Sequence, residues 1–257
     1  MASIKVNDRH DVLRLHSWRS RFELPTLVLI ALMAGGLWAF VELSDAVLEG
    51  STERFDRTVL LMMRTPGDTA DPLGPGWLEE FGRDLTALGG VGVLTLITLI
   101  VCGFLKLQGK SRAALLLLAA VGSGVLFSTL LKLGFDRPRP DLVPHGSIVY
   151  TASFPSGHSM MAAVAYLTLG GLLARVQPHR RLKSFLLFTA VLVTVLVGVS
   201  RIYLGVHWPT DVLAGWTAGA VWASCCWVIA SWLQRKGEVE SDAEGAKFEA
   251  TEVEEAA

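Results

Sequence analysis

Hydrophobic residues form long uninterrupted blocks along this chain, separated by short polar stretches. Each block is close to the roughly 20 residues that an α-helix needs to cross about 30 Å of hydrocarbon. The pattern predicts an all-α integral membrane bundle of six transmembrane helices, whose first block is an uncleaved span and not a secretory signal. The first block runs from Leu24 to Val41, and the others occupy about 85–105, 113–133, 158–174, 184–200 and 211–233.

The polar stretch between the first two blocks, residues 44–87, contains two amphipathic patterns on either side of a proline- and glycine-rich turn. This spacing predicts two short helices lying at the membrane interface, with a plain extramembrane loop as the alternative. The apolar residues at helical spacing are Phe55, Val59, Leu60 and Met63 in the first pattern, and Trp77, Leu78, Phe81 and Leu85 in the second.

The basic residues of the polar stretches indicate how the helices are oriented. Arg and Lys are frequent before the first block and after the second, fourth and sixth blocks. All of these positions fall on one side if the spans alternate, and such an excess marks the cytoplasmic side. We therefore predict cytoplasmic N- and C-termini, with residues 44–87, 134–157 and 201–210 facing the exterior.

The two ends of the chain differ in charge from the hydrophobic region between them. The N-terminal segment is polar and mostly basic, whereas the C-terminal segment is rich in Glu and almost lacks large apolar side chains. An acidic segment of low hydrophobicity is typical of disorder. We divide the chain into a basic cytoplasmic N-terminus (1–23), a six-helix membrane domain (24–234) and an acidic disordered tail (235–257).

Composition excludes several classes of partner. Hydrophobic residues make up 51% of the chain and the net charge is −1, so nothing in the charge indicates a nucleic-acid partner. The three cysteines lie inside apolar blocks, as small buried side chains do, and no zinc-type spacing of Cys and His occurs. The sequence predicts no metal and no cofactor, and it leaves the oligomeric state open.

Ionisable residues concentrate at the predicted external ends of the later blocks. Arg201, His207 and Asp211 lie together between two apolar blocks, where charged groups are costly and most often functional. Pro209 suits the first position of a helix, which places Asp211 in the first turn. There it would accept a hydrogen bond from one imidazole nitrogen of His207. The plainer alternative is a helix-start acid beside an interfacial histidine.

Two further clusters lie on the same predicted face, at the end of the third block and the start of the fourth. With Arg201 they offer a point charge and two planar guanidinium groups, which suit phosphate oxygens. They also offer a helix start, whose free N–H groups bind anions, and a histidine in its first turn. Each residue alone also fits a lipid-facing cation, a helix cap or an interfacial histidine. The residues are Lys132 and Arg139, and Ser156, Gly157 and His158.

Three motifs in this region carry a family resemblance. They are Lys-x6-Arg-Pro at 132–140, Pro-Ser-Gly-His at 155–158 and Ser-Arg-x5-His-x3-Asp at 200–211. In this order and spacing, the chain resembles the type 2 phosphatidic acid phosphatase superfamily of membrane phosphatases. The six-span layout extends the likeness to most of residues 24–233. Arg-Pro occurs twice, and the family spacing selects Arg139, which leaves Arg137 without a role.

The resemblance implies a role for each matched residue. His207 would attack phosphorus and form a phosphohistidine, Asp211 would orient it, and His158 would protonate the leaving group and then activate water. Ser200 matches the motif, but we expect only local hydrogen bonding from it. The residues implied to hold the phosphate are Lys132, Arg139, Ser156, Gly157 and Arg201.

The resemblance also implies metal-independent hydrolysis of a phosphate monoester or diphosphate on a lipid of the bilayer. Candidate substrates are phosphatidic acid, phosphatidylglycerol phosphate and undecaprenyl diphosphate. A lipid phosphotransferase or a lipid A phosphatase would use the same site and is the alternative. A non-enzymatic lipid-binding or transport protein is a weaker one, because no motif residue is missing. Size and resemblance indicate a bacterial inner membrane, with the site facing the periplasm.

Overall fold

The computed structural model describes residues 24–141 and 152–235, which fold into helices and one small hairpin. The predicted N-terminal segment, and the predicted tail beyond its first residue, lie outside the described residues. The helices are α1 (Leu24–Leu48), α2 (Glu53–Leu61), α3 (Gly76–Ala87), α4 (Val91–Leu107), α5 (Ser111–Leu133), α6 (Gly157–Val176), α7 (Arg180–Tyr203) and α8 (Pro209–Arg235). The strands are β1 (Arg64–Thr65) and β2 (Asp68–Pro72), which pair antiparallel.

Five of these helices, α1, α5, α6, α7 and α8, are long and apolar enough to cross a membrane. The sixth candidate is the pair α3 and α4, which are apolar and long enough only together and which meet at a bend of 52°. The span predicted from residue 85 therefore differs at its start: α3 continues to Ala87, and α4 begins at Val91. The charged side chains of α3 are costly in hydrocarbon, so the apolar helix starts after the bend. The predicted all-α membrane bundle is confirmed.

The first polar stretch forms both predicted short helices, α2 and α3, with the hairpin between them. On the predicted apolar face of α2, Leu60 and Met63 pack into the fold, while Phe55 is 51% exposed and Asp56 is buried. The hairpin follows from no local pattern, because its strands are only two and five residues long. Arg64 fixes it to the last turn of α7 by donating from Nη2 to the carbonyl of Tyr203 at 2.6 Å.

Helix α6 lies at the centre of the bundle, packed against α5, α7 and α8. One apolar cluster around Leu117 joins it to α4 and α5. A second cluster joins α2, α7 and α8 through Leu60, Ile202 and Val212. The second cluster holds the extramembrane helix α2 directly over the link between α7 and α8.

The backbones of α6 and α8 approach closely at two glycines one helical turn apart. A Cβ at Gly215 would lie 2.6 Å from the carbonyl oxygen of Ser156, and a Cβ at Gly219 would lie 2.4 Å from that of Met160. Small residues four apart allow membrane helices to pack backbone to backbone. The first turns of both helices are joined as a result, with the N–H of Ser156 donating to the carbonyl of Asp211 at 2.9 Å.

Gly219→Ala is expected to lower the unfolding temperature of the detergent-solubilised protein. Its methyl group would meet a backbone carbonyl, which cannot move without shifting α6, and overpacking of this kind costs about 1–3 kcal/mol. Gly122→Ala on α5 is the matched control, because a Cβ there meets nothing within 4 Å. Equal melting of the two variants would contradict the close α6–α8 contact.

Candidate active site

The three predicted clusters meet at one end of the bundle. The ends of α5 and α7 and the starts of α6 and α8 lie there together. His158 interacts electrostatically with residues from both of the other clusters, which places all three around one point. The predicted residues are Lys132 in the last turn of α5, Arg139 beyond it, Ser156, Gly157 and His158 at the start of α6, Arg201 in the last turn of α7, and His207 and Asp211 at the entry to α8.

His207 lies in the link between α7 and α8 and is 1% exposed. Its Nε2 faces Nη1 of Arg139 at 3.1 Å. Because a guanidinium group can only donate, we assign Nε2 as the acceptor and place the ring proton on Nδ1. Burial lowers the pKa of His207 to about 4, although Asp211 opposes this shift. The imidazole is therefore neutral at pH 7, with its Nε2 lone pair directed towards the cations.

Asp211 lies on the other side of the imidazole, in the first turn of α8. Its Oδ2 is 3.4 Å from Nδ1 of His207, and it accepts hydrogen bonds from the N–H of Trp208 at 2.9 Å and from the hydroxyl of Ser153. The same hydroxyl lies 3.3 Å from Nδ1. The carboxylate and the imidazole therefore face each other, with Ser153 as a partner shared by both.

The three predicted phosphate-binding cations are held in place by hydrogen bonds to neutral oxygens. Lys132 donates to the carbonyl of Ala152 (3.3 Å), Arg139 to the carbonyl of Val206 (2.9 Å) and Arg201 to the hydroxyl of Thr86 (2.9 Å). These bonds orient the three side chains. Three fixed positive charges around one point favour a bound anion.

The start of α6 adds backbone donors beside these cations. Ser156 occupies the predicted N-cap position, but its hydroxyl makes no capping bond and instead accepts from Ser159 at 3.0 Å. Gly157 is the first helical residue, and a Cβ there would lie 3.4 Å from the side chain of Lys132. The first N–H groups of a helix lack intrahelical partners and attract anions. The helix start and Lys132 therefore face the same position.

His158 lines a cavity of about 680 Å³ between the α3–α4 bend, the end of α5 and the start of α6. Val91 and Leu133 in its wall are also 58% and 80% exposed on the outer surface. The cavity therefore extends from Lys132 and His158 to the exposed side of α4 and α5. Its apolar wall comprises Val91, Val125, Leu133, Phe135 and Met161, and its polar wall includes Lys132 and Ser128.

Sequence reasoning missed several residues that contact the predicted site. Arg137 forms ion pairs of 2.6 Å with Asp211 and with Asp56 of α2. An acid on the buried face of an amphipathic helix was the available signal for Asp56. No local pattern distinguishes Ser153 or Thr86, because their contacts are made between distant parts of the chain.

Two further predictions concern Ser200 and metals. Ser200 is buried and donates to the carbonyl of Val197 at 2.7 Å, which is the local hydrogen bond expected of it. Among residues 24–141 and 152–235, no three His, Cys, Asp or Glu side chains are grouped as ligands of a metal ion. The expected independence from metals stays a prediction.

Comparison with known proteins identifies the family. Residues 113–235, from α5 to the end of α8, match the PAP2 superfamily of type 2 phosphatidic acid phosphatases. Phosphatidylglycerophosphatase B of Bacillus subtilis (strain 168) is 38% identical over 146 residues, which are 56% of this chain and 70% of that protein. The chain belongs to the PAP2 superfamily. It is an enzyme of the lipid-phosphate hydrolase class.

The PAP2 architecture is also shared in three dimensions. The crystal structure of a transmembrane PAP2-type phosphatidylglycerolphosphate phosphatase from Bacillus subtilis superposes with a TM-score of 0.67 and 29% identity, over 78% of this chain and 96% of that one. Undecaprenyl-diphosphatase of Sulfolobus acidocaldarius is 39% identical over 72 residues, which are 28% of this chain and 30% of that protein. The predicted family and membrane fold are both confirmed.

Arg139→Ala is expected to weaken competitive inhibition by inorganic phosphate and to lower kcat/KM for a lipid phosphate by about 10²-fold. The reason is that the change removes a charged donor beside Nε2 of His207. Arg83→Ala is the control, since Arg83 is an exposed arginine that pairs with Glu79 on α3. If both variants keep the wild-type inhibition constant for phosphate, Arg139 does not hold the phosphate.

Proposed function

We propose that this PAP2 enzyme hydrolyses a phosphate monoester or diphosphate on a membrane lipid through a phosphohistidine at His207, without a metal ion. The observation that carries the proposal is the orientation of that imidazole. Its Nε2 lone pair is directed at Arg139, and its Nδ1 faces the buried carboxylate of Asp211. A neutral imidazole held in one tautomer beside a cationic site is suited to attack phosphorus.

In the first step, Nε2 of His207 bonds to phosphorus as the bond from phosphorus to the lipid oxygen breaks. The ring then gains positive charge, which the carboxylate of Asp211 stabilises through the Nδ1 proton. Arg139 donates to Nε2 of His207, so it has to turn to a phosphoryl oxygen before attack. Its planar guanidinium group suits two such oxygens.

The surrounding cations supply the charge stabilisation that phosphoryl transfer requires. Lys132, Arg139 and Arg201 come from three different segments, and the backbone of Gly157 at the start of α6 lies beside them. Together they would surround the equatorial oxygens, where the negative charge of the transition state is concentrated. This arrangement is what makes a metal ion unnecessary in the proposal.

His158 is the proposed general acid and base. The negative charge of a bound phosphate favours its protonated form, which then gives its proton to the leaving lipid oxygen. In the second step, the neutral His158 takes a proton from water as the water oxygen bonds to phosphorus and the bond from phosphorus to Nε2 breaks. Inorganic phosphate leaves, and both histidines return to their starting states.

The cavity between α4, α5 and α6 supports a lipid as the substrate. It joins His158 and Lys132 to apolar walls that border the lipid-facing surface. The phosphate would lie at headgroup depth while the acyl or prenyl chain stays in the bilayer. Phosphatidylglycerol phosphate and undecaprenyl diphosphate, named in the relatives' activities, and phosphatidic acid all have this form.

The location of the site follows from the orientation of the spans. We place it on the exterior, facing the periplasm of a bacterial inner membrane, with both termini in the cytoplasm. The distribution of Arg and Lys among the loops supports this orientation. Undecaprenyl and phospholipid phosphates would then reach the site from the outer leaflet.

His207→Ala is expected to abolish both lipid-phosphate hydrolysis and the acid-labile phosphoenzyme trapped by rapid quenching with ³²P-labelled substrate. His158→Ala is expected to slow both steps. With a diphosphate substrate the first step should be slowed less than the second, because its leaving group needs less protonation. Phosphoenzyme should therefore accumulate in His158→Ala when a prenyl diphosphate is the substrate.

His179→Ala is the matched control for both histidine variants. His179 is an exposed histidine just before α7, at the opposite end of that helix from His207. Undiminished phosphate release by His207→Ala would rule out His207 as the nucleophile. A phosphoenzyme that forms without His207 would place the covalent intermediate on another residue.

Product analysis distinguishes hydrolysis from the alternative, transfer of the phosphoryl group to another lipid or to lipid A sugar. With a panel of lipid phosphates at equal surface concentration, we expect inorganic phosphate to be released in equimolar amount with the dephosphorylated lipid. An added hydroxyl acceptor should leave that ratio near one. A ratio that falls as acceptor is added would favour the phosphotransferase.

A further inference from the structure

Arg137 lies two residues before Arg139, yet its guanidinium group faces a different part of the site. Nη1 donates to Oδ1 of Asp211 at 2.6 Å and to the hydroxyl of Thr210 at 2.8 Å. Nη2 donates to Oδ2 of Asp56 at 2.6 Å. Both ends of the guanidinium group are thus bound by carboxylates, so Arg137 is not directed at a phosphate as Arg139 is.

Asp56 reaches the site from α2, a helix in the first polar stretch. It is 1% exposed, and its position is fixed by the first turn of α8. Its Oδ1 accepts from the N–H of Thr210 at 2.9 Å, and its Oδ2 accepts from the Thr210 hydroxyl at 2.7 Å. Asp56 therefore binds the helix start that carries Asp211, and it also binds the arginine that holds the Asp211 side chain.

The charges of this cluster form one line, from Asp56 through Arg137 and Asp211 to His207. The first three side chains are 1%, 13% and 0% exposed. Two buried carboxylates share one guanidinium group, and Lys132 and Arg139 also interact electrostatically with Asp211. The carboxylate that faces His207 would stabilise the positive charge that the imidazole gains in a phosphohistidine.

We propose that Asp56 and Arg137 are positioning residues, which act on the reaction by holding Asp211 against His207 and do not bind the phosphate. This inference rests on the proposed function of His207 as nucleophile. Arg137 fixes Oδ1 of Asp211, so that Oδ2 is left to face Nδ1 of His207. Asp56 fixes Arg137 and the first turn of α8 from the extramembrane side.

Substitutions that affect Arg137 should therefore have different kinetic effects from substitutions of Arg139. Asp56→Asn keeps the shape of the side chain and an acceptor for Thr210, but it removes the ion pair with Arg137. We expect kcat to fall about 10-fold, because a less firmly held Asp211 misplaces the reacting imidazole, with KM and the inhibition constant of inorganic phosphate within about twofold of wild type. Arg137→Lys should behave in the same way.

Arg54→Gln is the matched control, because Arg54 is an exposed arginine two residues before Asp56 on the same helix. It should keep wild-type kcat, KM and melting temperature. Arg139→Ala provides the opposite pattern, in which inhibition by inorganic phosphate is weakened. A weakened phosphate inhibition in Asp56→Asn or Arg137→Lys would overturn the proposal, because it would make the pair part of the phosphate site.

A double-mutant cycle tests the route through Asp211. In an Asp211→Asn background, measured in single turnovers, adding Asp56→Asn should cause no further loss of phosphoryl transfer, because residues that act as a unit are not additive. Adding Arg139→Ala should still cause a loss. A full additive loss from Asp56→Asn would show that it acts elsewhere.

Folding is followed by melting temperature in detergent for every variant. If Asp56→Asn and Arg137→Lys both fail to fold while Arg54→Gln folds, the pair is a structural contact only and the proposal is wrong. Failure of the proposed function gives a different result. In that case His207→Ala would still form a phosphoenzyme, whatever the Asp56 and Arg137 variants do.

Discussion

The close contact between α6 and α8 is the constraint on which the site depends. Gly215 and Gly219 allow the two backbones to approach, and the N–H of Ser156 then reaches the carbonyl of Asp211. One helix start carries His158 and the anion-binding N–H groups, and the other carries the acid that faces His207. If these helices were further apart, every motif residue would still be present, but His158 and His207 would no longer lie close together.

The electrostatics of the site follow from how its charges are shared. Both buried acids, Asp56 and Asp211, are bound by Arg137. The hydrogen bonds of Lys132 and Arg201 go instead to a carbonyl and a hydroxyl, which carry no charge. Placing such cations at the end of an apolar bundle is costly, and a phosphate dianion is the partner that would offset that cost. This difference in partners distinguishes Arg137 from the arginines proposed to bind phosphate.

The sequence predicted what depends on local pattern and motif spacing. Block length predicted the long helices, and Pro209 correctly marked the start of α8. The second block differs from the prediction at its start, because the chain bends by 52° between α3 and α4. Motif spacing separated Arg139 from Arg137, and the structure brings the first to His207 and the second to Asp211.

What the sequence could not supply were contacts between distant segments. Thr86 meets Arg201 across 115 residues, and Asp56 meets Thr210 across 154. Hydrophobic periodicity carries no information about such pairs, because either partner alone resembles an ordinary loop or surface residue. The sequence therefore predicts only interfacial helices for the polar stretch between the first two spans. In the structure, Asp56 and Thr86 of this stretch bond to Thr210 and Arg201 beside the predicted site.

The contact between Arg139 and Nε2 of His207 also affects how the proposed reaction would begin. Nη1 of Arg139 covers the Nε2 lone pair of His207, and burial keeps the imidazole neutral. A phosphate offers Arg139 a charged acceptor, and hydrogen bonds to charged groups are stronger than those to a neutral nitrogen. Binding would thus move the guanidinium group onto the phosphoryl oxygens and free Nε2 in the same event. In the proposed mechanism, the group that shields the nucleophile is also the one that orients its target.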